Sequence, residues 1–231
     1  MGLVWDGIVQ AVRLLASGDP EVWAITLLSL QISGAATVVS LVVGVPVGAL
    51  LALTRFPGRG LVVSLVNTGM GLPPVVVGLF VTILLWRSGP LGGWEVLYTP
   101  AAIVLAQAVI AAPIVTGITL AAVQNVPTQF RLQLYALGAS RSQMVRVVLQ
   151  EARLPMLAAV MAGFGGVISE IGASMMVGGN IRGHTRTLTT AMVLETGKGN
   201  FDVAIALSIL LLALVFAVNW ALTAIQQRRG R

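Results

Sequence analysis

A chain of 231 residues with 57% hydrophobic and only 10% charged side chains lies far below the roughly 25% charged residues of a soluble domain. That excludes a water-soluble surface and points to an integral membrane protein. The net charge of +6 then reports orientation before it suggests nucleic acid, and the absence of cysteine removes disulfides, thiolate metal sites and cysteine nucleophiles.

Five apolar stretches, 24–53, 61–85, 100–123, 154–177 and 203–225, are each long enough to cross a hydrocarbon core of about 30 Å. The fold class expected is therefore an all-α integral membrane protein of about five transmembrane helices. Residues 1–23 form an N-terminal amphipathic segment, 24–225 the transmembrane domain with a cytoplasmic loop at 124–153, and 226–231 a basic tail. Within residues 1–17, Leu3, Val4, Ile8, Val12 and Leu15 recur at helical spacing, as in a short helix on the outer membrane surface, and a lead-in that packs on the bundle is favoured over any functional role. With no basic n-region and Asp6 close to the start, this stretch does not read as a cleaved signal peptide.

The first span carries Ser29, Ser33, Gly34, Ser40, Gly44 and Gly48, small residues that let helices approach closely. Gln31 is a polar exception open to a substrate role. In the second span, Asn67 and Thr68 precede two glycines and the pair Pro73–Pro74. Each proline removes an N–H and clashes with the preceding turn, so no regular helix runs through. Freed backbone groups in hydrocarbon need protein or a watery cavity to satisfy them. Two readings stand, a structural kink and the wall of a translocation path, and the coincidence of polar groups with the break favours the second. The following loop, with Trp86, Trp94 and Tyr98, fits an interfacial aromatic belt.

The third span holds Gln107 and Pro113. Between it and the fourth lies a polar, basic stretch with Arg131, Arg141, Arg146 and Arg153 against Glu151 alone. Tyr135, Leu137, Met144, Val145, Val148 and Leu149 recur at helical spacing on either side of Gly138-Ala139-Ser140. Gly138 suits the C-terminus of one helix and Ser140 the N-cap of the next. The expectation is helix, turn, helix, held outside the membrane by charge.

The fourth span contains Ser169, Glu170 and Ser174. Glu170 is the only acid within a span, and such a group faces the interior with a partner. A gating residue and a structural one are both open, and an arginine is the partner expected. The candidate path residues are thus Asn67, Thr68, Pro73, Pro74, Gln107, Ser169, Glu170 and Ser174. Beyond the span, Arg182, His184 and Arg186 stand among glycines, where an oxyanion at the outer mouth and plain solvation are equally compatible. A single histidine offers no metal site.

With the C-terminus inside, nine Lys and Arg lie on cytoplasmic segments and five outside. Lys and Arg asymmetry sets topology, so the N-terminus is expected outside and the bend in the cytoplasm. No G-x-x-x-x-G-K-[ST], H-E-x-x-H or G-x-S-x-G string occurs. No catalytic residue, cofactor or metal is expected, and nothing in these patterns supports an enzyme.

The stretch ALGASRSQMVRVVLQEARLP resembles the cytoplasmic EAA loop of binding-protein-dependent ABC importer permeases of the type I, MetI-like fold. Gly138 matches the invariant glycine and Leu154–Pro155 a downstream Leu-Pro, while Leu132, Gln133 and Leu134 stand where Glu-Ala-Ala is usual. MGLPPVVVGLF, RSGPLG and QEARLPMLAAVMAGFGGVISEIGASMMVGGN are similar to tungstate and molybdate permeases of that class, over about residues 67–211.

The resemblance implies a multi-pass subunit in the lipid of the cell inner membrane. Two identical chains pair around a path for an oxyanion, tungstate before molybdate. An extracytoplasmic substrate-binding protein delivers the anion, and a separate ABC ATPase subunit hydrolyses ATP. Residues Ala136, Leu137, Gly138, Ala139, Ser140, Gln143 and Met144 would couple to that ATPase, and nucleic acid has no part. A gradient-driven secondary transporter, with Glu170 as proton site, is the competing reading. It calls for inverted repeats, and none is recognisable.

Overall fold

The computed structural model describes residue 5, residues 7–10, 12–13 and 18–229. The surface helix expected over residues 1–17 falls largely outside that set. Within it, Gly7 abuts the last long helix so closely that a Cβ would lie 2.4 Å from the Ile205 side chain. The end of the basic tail also lies outside the described residues.

Helix α1, Pro20–Leu53, begins where the Asp19 carboxylate accepts hydrogen bonds from the N–H groups of Glu21 and Val22, at 2.9 and 3.0 Å, with Pro20 at the first helical position. Its 34 residues extend about 51 Å at 1.5 Å per residue, more than a hydrocarbon core requires. At its far end the Arg59 Nε donates to the Leu51 carbonyl at 2.7 Å, placing a cation on the negative end of the helix.

The second apolar stretch is broken in the middle. It is two helices of 12 residues, α2 (Arg59–Met70) and α3 (Pro74–Leu85), which meet at 102°. Proline at the first position of α3 is well placed, because the missing N–H has no intrahelical partner there. No residue of α2 is buried. A single 3-10 turn at Gly92–Trp94 follows, with Trp86, Trp94 and Tyr98 exposed beside it.

Helix α4, Pro100–Gln124, is the centre of the bundle. Ala102, Ile103, Ala106, Ala111, Val115 and Val123 are all shut off from the surroundings. It packs along α1 for much of its length. The approach is close because Gly48 faces it: a Cβ there would stand 2.6 Å from the Thr116 carbonyl oxygen and 2.8 Å from Thr119 Cβ. Small residues at such seams give helices in lipid their van der Waals contact.

Helices α5 (Thr128–Ala136) and α6 (Arg141–Glu151) form the polar bend, and α6 meets α7 (Arg153–Ile168) at 67°. The fourth apolar stretch is broken in turn. Helix α7 stops at Ile168, and a short α8, Gly172–Gly178, completes it. Helices α9 (Leu188–Gly197) and α10 (Phe201–Arg229) close the chain. Among the described residues three helices, α1, α4 and α10, are long and apolar enough to span a membrane, and up to five spans result if each bent pair counts as one. Helices α3 and α8 pack together at Gly78, whose added Cβ would lie 2.7 Å from Ala173 Cα, so the two breaks lie side by side.

The α1–α4 seam gives a direct expectation. Gly48→Ala pushes against backbone and is expected to destabilise the chain by about 1–3 kcal/mol, as overpacking does. Gly34→Ala, with nothing within 4 Å of the new methyl, is expected to be neutral or to stabilise by about 0.5–1 kcal/mol through helix propensity. Melting temperatures of the two variants in one detergent decide the comparison.

Candidate functional site

Residues of three regions carry polar chemistry, and the bend is built most locally. Helix α5 ends as the Gly138 N–H donates to the Tyr135 carbonyl and the Ala139 N–H to the Leu134 carbonyl, both at 3.0 Å. Gly138 has φ +82°. This is a Schellman closure, in which glycine adopts the left-handed conformation without a Cβ penalty. Helix α6 starts with a capping box: Ser140 Oγ accepts from the Gln143 N–H at 3.3 Å, and Gln143 Oε1 accepts from the Ser140 N–H at 2.8 Å. Both turn residues do what their chemistry predicts, and Gln143 is occupied in holding the cap.

The bend is tied to the end of α4. Met144 and Val148 are buried against Ala122, Val123 and Val126, and Arg131 Nη2 donates to the Val123 carbonyl at 2.7 Å. Met144 was expected among the partner-gripping residues. It is instead turned inward, because one helical turn aligns it with Val148 on the face that meets α4. Ala136, Leu137, Gly138 and Ser140 are exposed and Ala139 is half-buried. Leu137, 84% exposed, is an apolar side chain presented at the tip of a basic elbow.

The candidate path residues separate into two groups. Asn67, Thr68 and Pro73 are exposed and Pro74 half-buried along α2 and its break; Thr68 Oγ1 donates back to the Ser64 carbonyl at 2.9 Å. Ser169 is also exposed and donates to the Gly165 carbonyl at 2.8 Å. Gln107 and Ser174, by contrast, are brought together and sealed. Gln107 Nε2 donates to Ser174 Oγ at 3.2 Å, and Ser33 Oγ donates to Gln107 Oε1 at 3.5 Å. At 2% and 1% exposure they do not line an open path within this chain. They bolt α1, α4 and α8 together, because a polar side chain inside an apolar bundle must find a partner there.

Glu170 is buried, but among the described residues no arginine pairs with it. Its Oε1 accepts from the Ala173 N–H at 2.9 Å, and its own carbonyl accepts from Thr189 Oγ1 at 3.1 Å. The side-chain partner that Glu170 finds is thus a backbone N–H in the first turn of α8.

The expected anion contacts Arg182 and Arg186 are already engaged with a carboxylate. Arg182 Nε donates to Glu21 Oε1 at 2.8 Å, and its Nη2 makes a short contact to Oε2. Arg186 Nη1 lies 3.7 Å from the same Glu21 Oε1, while its buried Nε has no hydrogen-bond partner. His184 is exposed beside them. These side chains and Gln31 line a space of about 540 Å³ between the first turns of α1 and the 182–186 segment. Further along, Lys198 is held at 2.7 Å by Glu195. Hydrogen bonds from Asn200 and then Lys198 keep the Glu195 carboxyl below its ordinary range. Glu21 is the residue of this cluster that the sequence did not single out, and its only signal was an acid in the first turn of a helix.

Residues 44–231 match the family model described as binding-protein-dependent transport system inner membrane component. A probable anion ABC transporter permease protein of Haloferax volcanii is 43% identical over 85% of this chain and 87% of its own length. The tungstate uptake system permease protein TupB of Peptoclostridium acidaminophilum is 36% identical over 98% of this chain and all of its own. A chain of the MetNI methionine ABC transporter, solved in inward-facing conformations, superposes with a TM-score of 0.74 at 25% identity, covering 92% of this chain and 95% of that one.

The bond between Glu170 and the Ala173 N–H has its own test. Glu170→Gln keeps an acceptor for that N–H and is expected to melt near the wild-type temperature. Glu170→Ala leaves it unpaired and is expected to cost about 1–3 kcal/mol, the range for a buried donor left unsatisfied. Equal melting of all three proteins would remove this bond from the account.

Proposed function

The chain belongs to the family of binding-protein-dependent transport system inner membrane components, and from that premise we propose that it forms the translocation path of an ATP-driven oxyanion importer, with tungstate the favoured substrate. ATP is hydrolysed by a separate subunit. The favoured substrate follows from near full-length similarity to a tungstate uptake permease, alongside a still more similar anion permease. Molybdate, a tetrahedral dianion of the same kind, is the alternative cargo.

The observation that carries the mechanism is the bend. Its tip offers Leu137 in a basic surround, and its opposite face is fastened to α4 through Met144, Val148 and Arg131. A side chain gripped at the tip therefore moves a rigid body that ends on the central helix. We place this bend in the cytoplasm, seated on the ATPase, because Lys and Arg are concentrated on that side. An extracytoplasmic binding protein delivers the anion from the other side.

We further propose that two identical chains pair. Helix α2 has no buried residue and exposes Ser64, Asn67 and Thr68. Polar groups left facing lipid are costly, whereas a second copy or a watery path between copies satisfies them. Asn67, Thr68 and the break at Pro73–Pro74 then border the path, with Ser169 exposed on the adjoining broken helix. ATP binding biases one of two conformations, and the bend is the element through which that bias acts.

The experiment is uptake of tungstate, molybdate and sulfate into liposomes containing the chain, its ATPase and the binding protein. ATP-dependent uptake absent with a non-hydrolysable analogue is expected; uptake that follows an ion gradient without ATP would overturn the reading. Leu137→Asp is expected to lower ATP-driven uptake by about tenfold or more, as loss of an apolar anchor at an interface does. Because Leu137 touches little of its own chain, its melting temperature should be unchanged, and the ATPase should no longer co-purify.

A further inference from the structure

We propose that the space between the first turns of α1 and the 182–186 segment is an oxyanion entry site in which Glu21 serves as a built-in competitor for the anion. The inference rests on the importer reading above and adds to it a site, a ligand chemistry and a residue outside the expected anion contacts.

Two guanidinium groups converge there on one carboxylate. Arg182 holds Glu21 through both of its oxygens and Arg186 approaches Oε1 at 3.7 Å. Convergent arginine forks match the geometry of a multi-oxygen anion as well as that of a carboxylate. The two guanidinium groups share one bonded carboxylate, and Asp19 and Glu195 also lie within electrostatic reach of the cluster. Arg186 also keeps a buried Nε without a partner. A charged donor left unpaired away from water is costly, and an anion reaches it only if the Arg186 side chain turns, because that nitrogen is shut off from the space.

The site also has direction. Glu21, Ala24, Leu28 and Gln31 all border the space and recur at the three- and four-residue spacing of a single helix stripe. From Glu21 to Gln31 the stripe descends about 15 Å along α1. Cations thus stand at the mouth, apolar walls line the way, and a neutral amide waits further in. Apolar walls strengthen the attraction between the arginines and an anion relative to open water.

Glu21 keeps this attraction from becoming a trap. Two arginines alone would hold a dianion, and an importer must release what it admits. Arriving anion displaces the carboxylate from Arg182 and Arg186; as it moves on, Glu21 re-forms its pairs and the anion is not drawn back. An exposed ion pair is weak enough to be exchanged in this way.

The test is equilibrium dialysis of sodium tungstate, at low ionic strength, against the permease–ATPase complex in lipid nanodiscs, with bound metal measured directly. Glu21→Gln is expected to tighten tungstate binding by about fivefold, the equivalent of one exposed ion pair. The double variant Arg182→Gln, Arg186→Gln is expected to weaken it by about tenfold or more, as loss of charged hydrogen bonds does. Should the double variant fold poorly, Arg182→Gln alone, at a side chain 72% exposed, is expected to weaken binding in the same direction. Unchanged or weaker binding by Glu21→Gln, or wild-type binding by the arginine variants, overturns the site. No tungstate bound by any form also overturns it, while continued ATP-driven uptake by the same complex leaves the importer reading standing. Loss of uptake of every oxyanion overturns that reading instead.

Discussion

A helix that stops inside an apolar bundle frees N–H and C=O groups, and each costs several kcal/mol if nothing satisfies it. This chain stops two helices next to each other, at Gly71–Pro73 and at Ser169–Ile171, so the neighbourhood of short α8 depends on how those groups are paired. Glu170 takes the Ala173 N–H at one end of α8. At the other, the Tyr98 N–H donates to the Val177 carbonyl at 2.8 Å and Thr185 Oγ1 to the Gly178 carbonyl at 2.6 Å. Thr185 Oγ1 in turn accepts from the Ile181 N–H at 2.9 Å. The threonines that follow are buried for this reason: Thr187 caps α9, and Thr189 reaches back to the Glu170 carbonyl.

The same pairing gives the bundle its mechanical continuity. Gln107, on α4, is bonded to Ser174 on α8, while the far end of α4 receives Arg131 from the bend. Between Gln107 and Gln124 lie about 26 Å of unbroken helix. A displacement of the bend thus reaches the region of the breaks through one stiff element and two polar joints, with no loop in series. Helix α1 lies along the same element and is bonded to it at Ser40, whose Oγ donates to the Ala108 carbonyl at 3.2 Å.

What could be read from the chain follows the range of the interaction. The bend was legible almost to the residue, because Schellman closure at Gly138 and the box between Ser140 and Gln143 are settled within six residues. The break at Pro73–Pro74 was legible as a break, though not as a turn of 102°. The second break was hidden, since no proline marks it and hydropathy runs on through Ser169. Least legible were the partners of charged groups. Glu170 invited an arginine and found a backbone N–H three residues on, while Arg182 invited an anion and found a carboxylate 161 residues away. Met144 shows the same limit on a smaller scale: periodicity placed it on a face, but only packing against Val123 and Val126 decided that the face was inward.

The distribution of charge bears on how a dianion is moved at all. Fixed positive charge stands at the two ends of the chain's long helices, at Arg182 and Arg186 on one side and at Arg59 and Arg131 on the other, where each of the latter two meets a helix carbonyl. Between them the polar groups of the described residues are neutral amides and hydroxyls, apart from Glu170, which is turned to a backbone N–H. A cation at mid-depth would lower the cost of bringing an anion there, but it would also hold it, since a pair formed in a low dielectric is hard to part. Neutral donors such as Asn67 and Thr68 offer hydrogen bonds that exchange with water. Under the proposed function, the anion is recruited by charge at the mouth and passed by groups too weak to keep it, so that direction comes from the conformational bias applied at the bend.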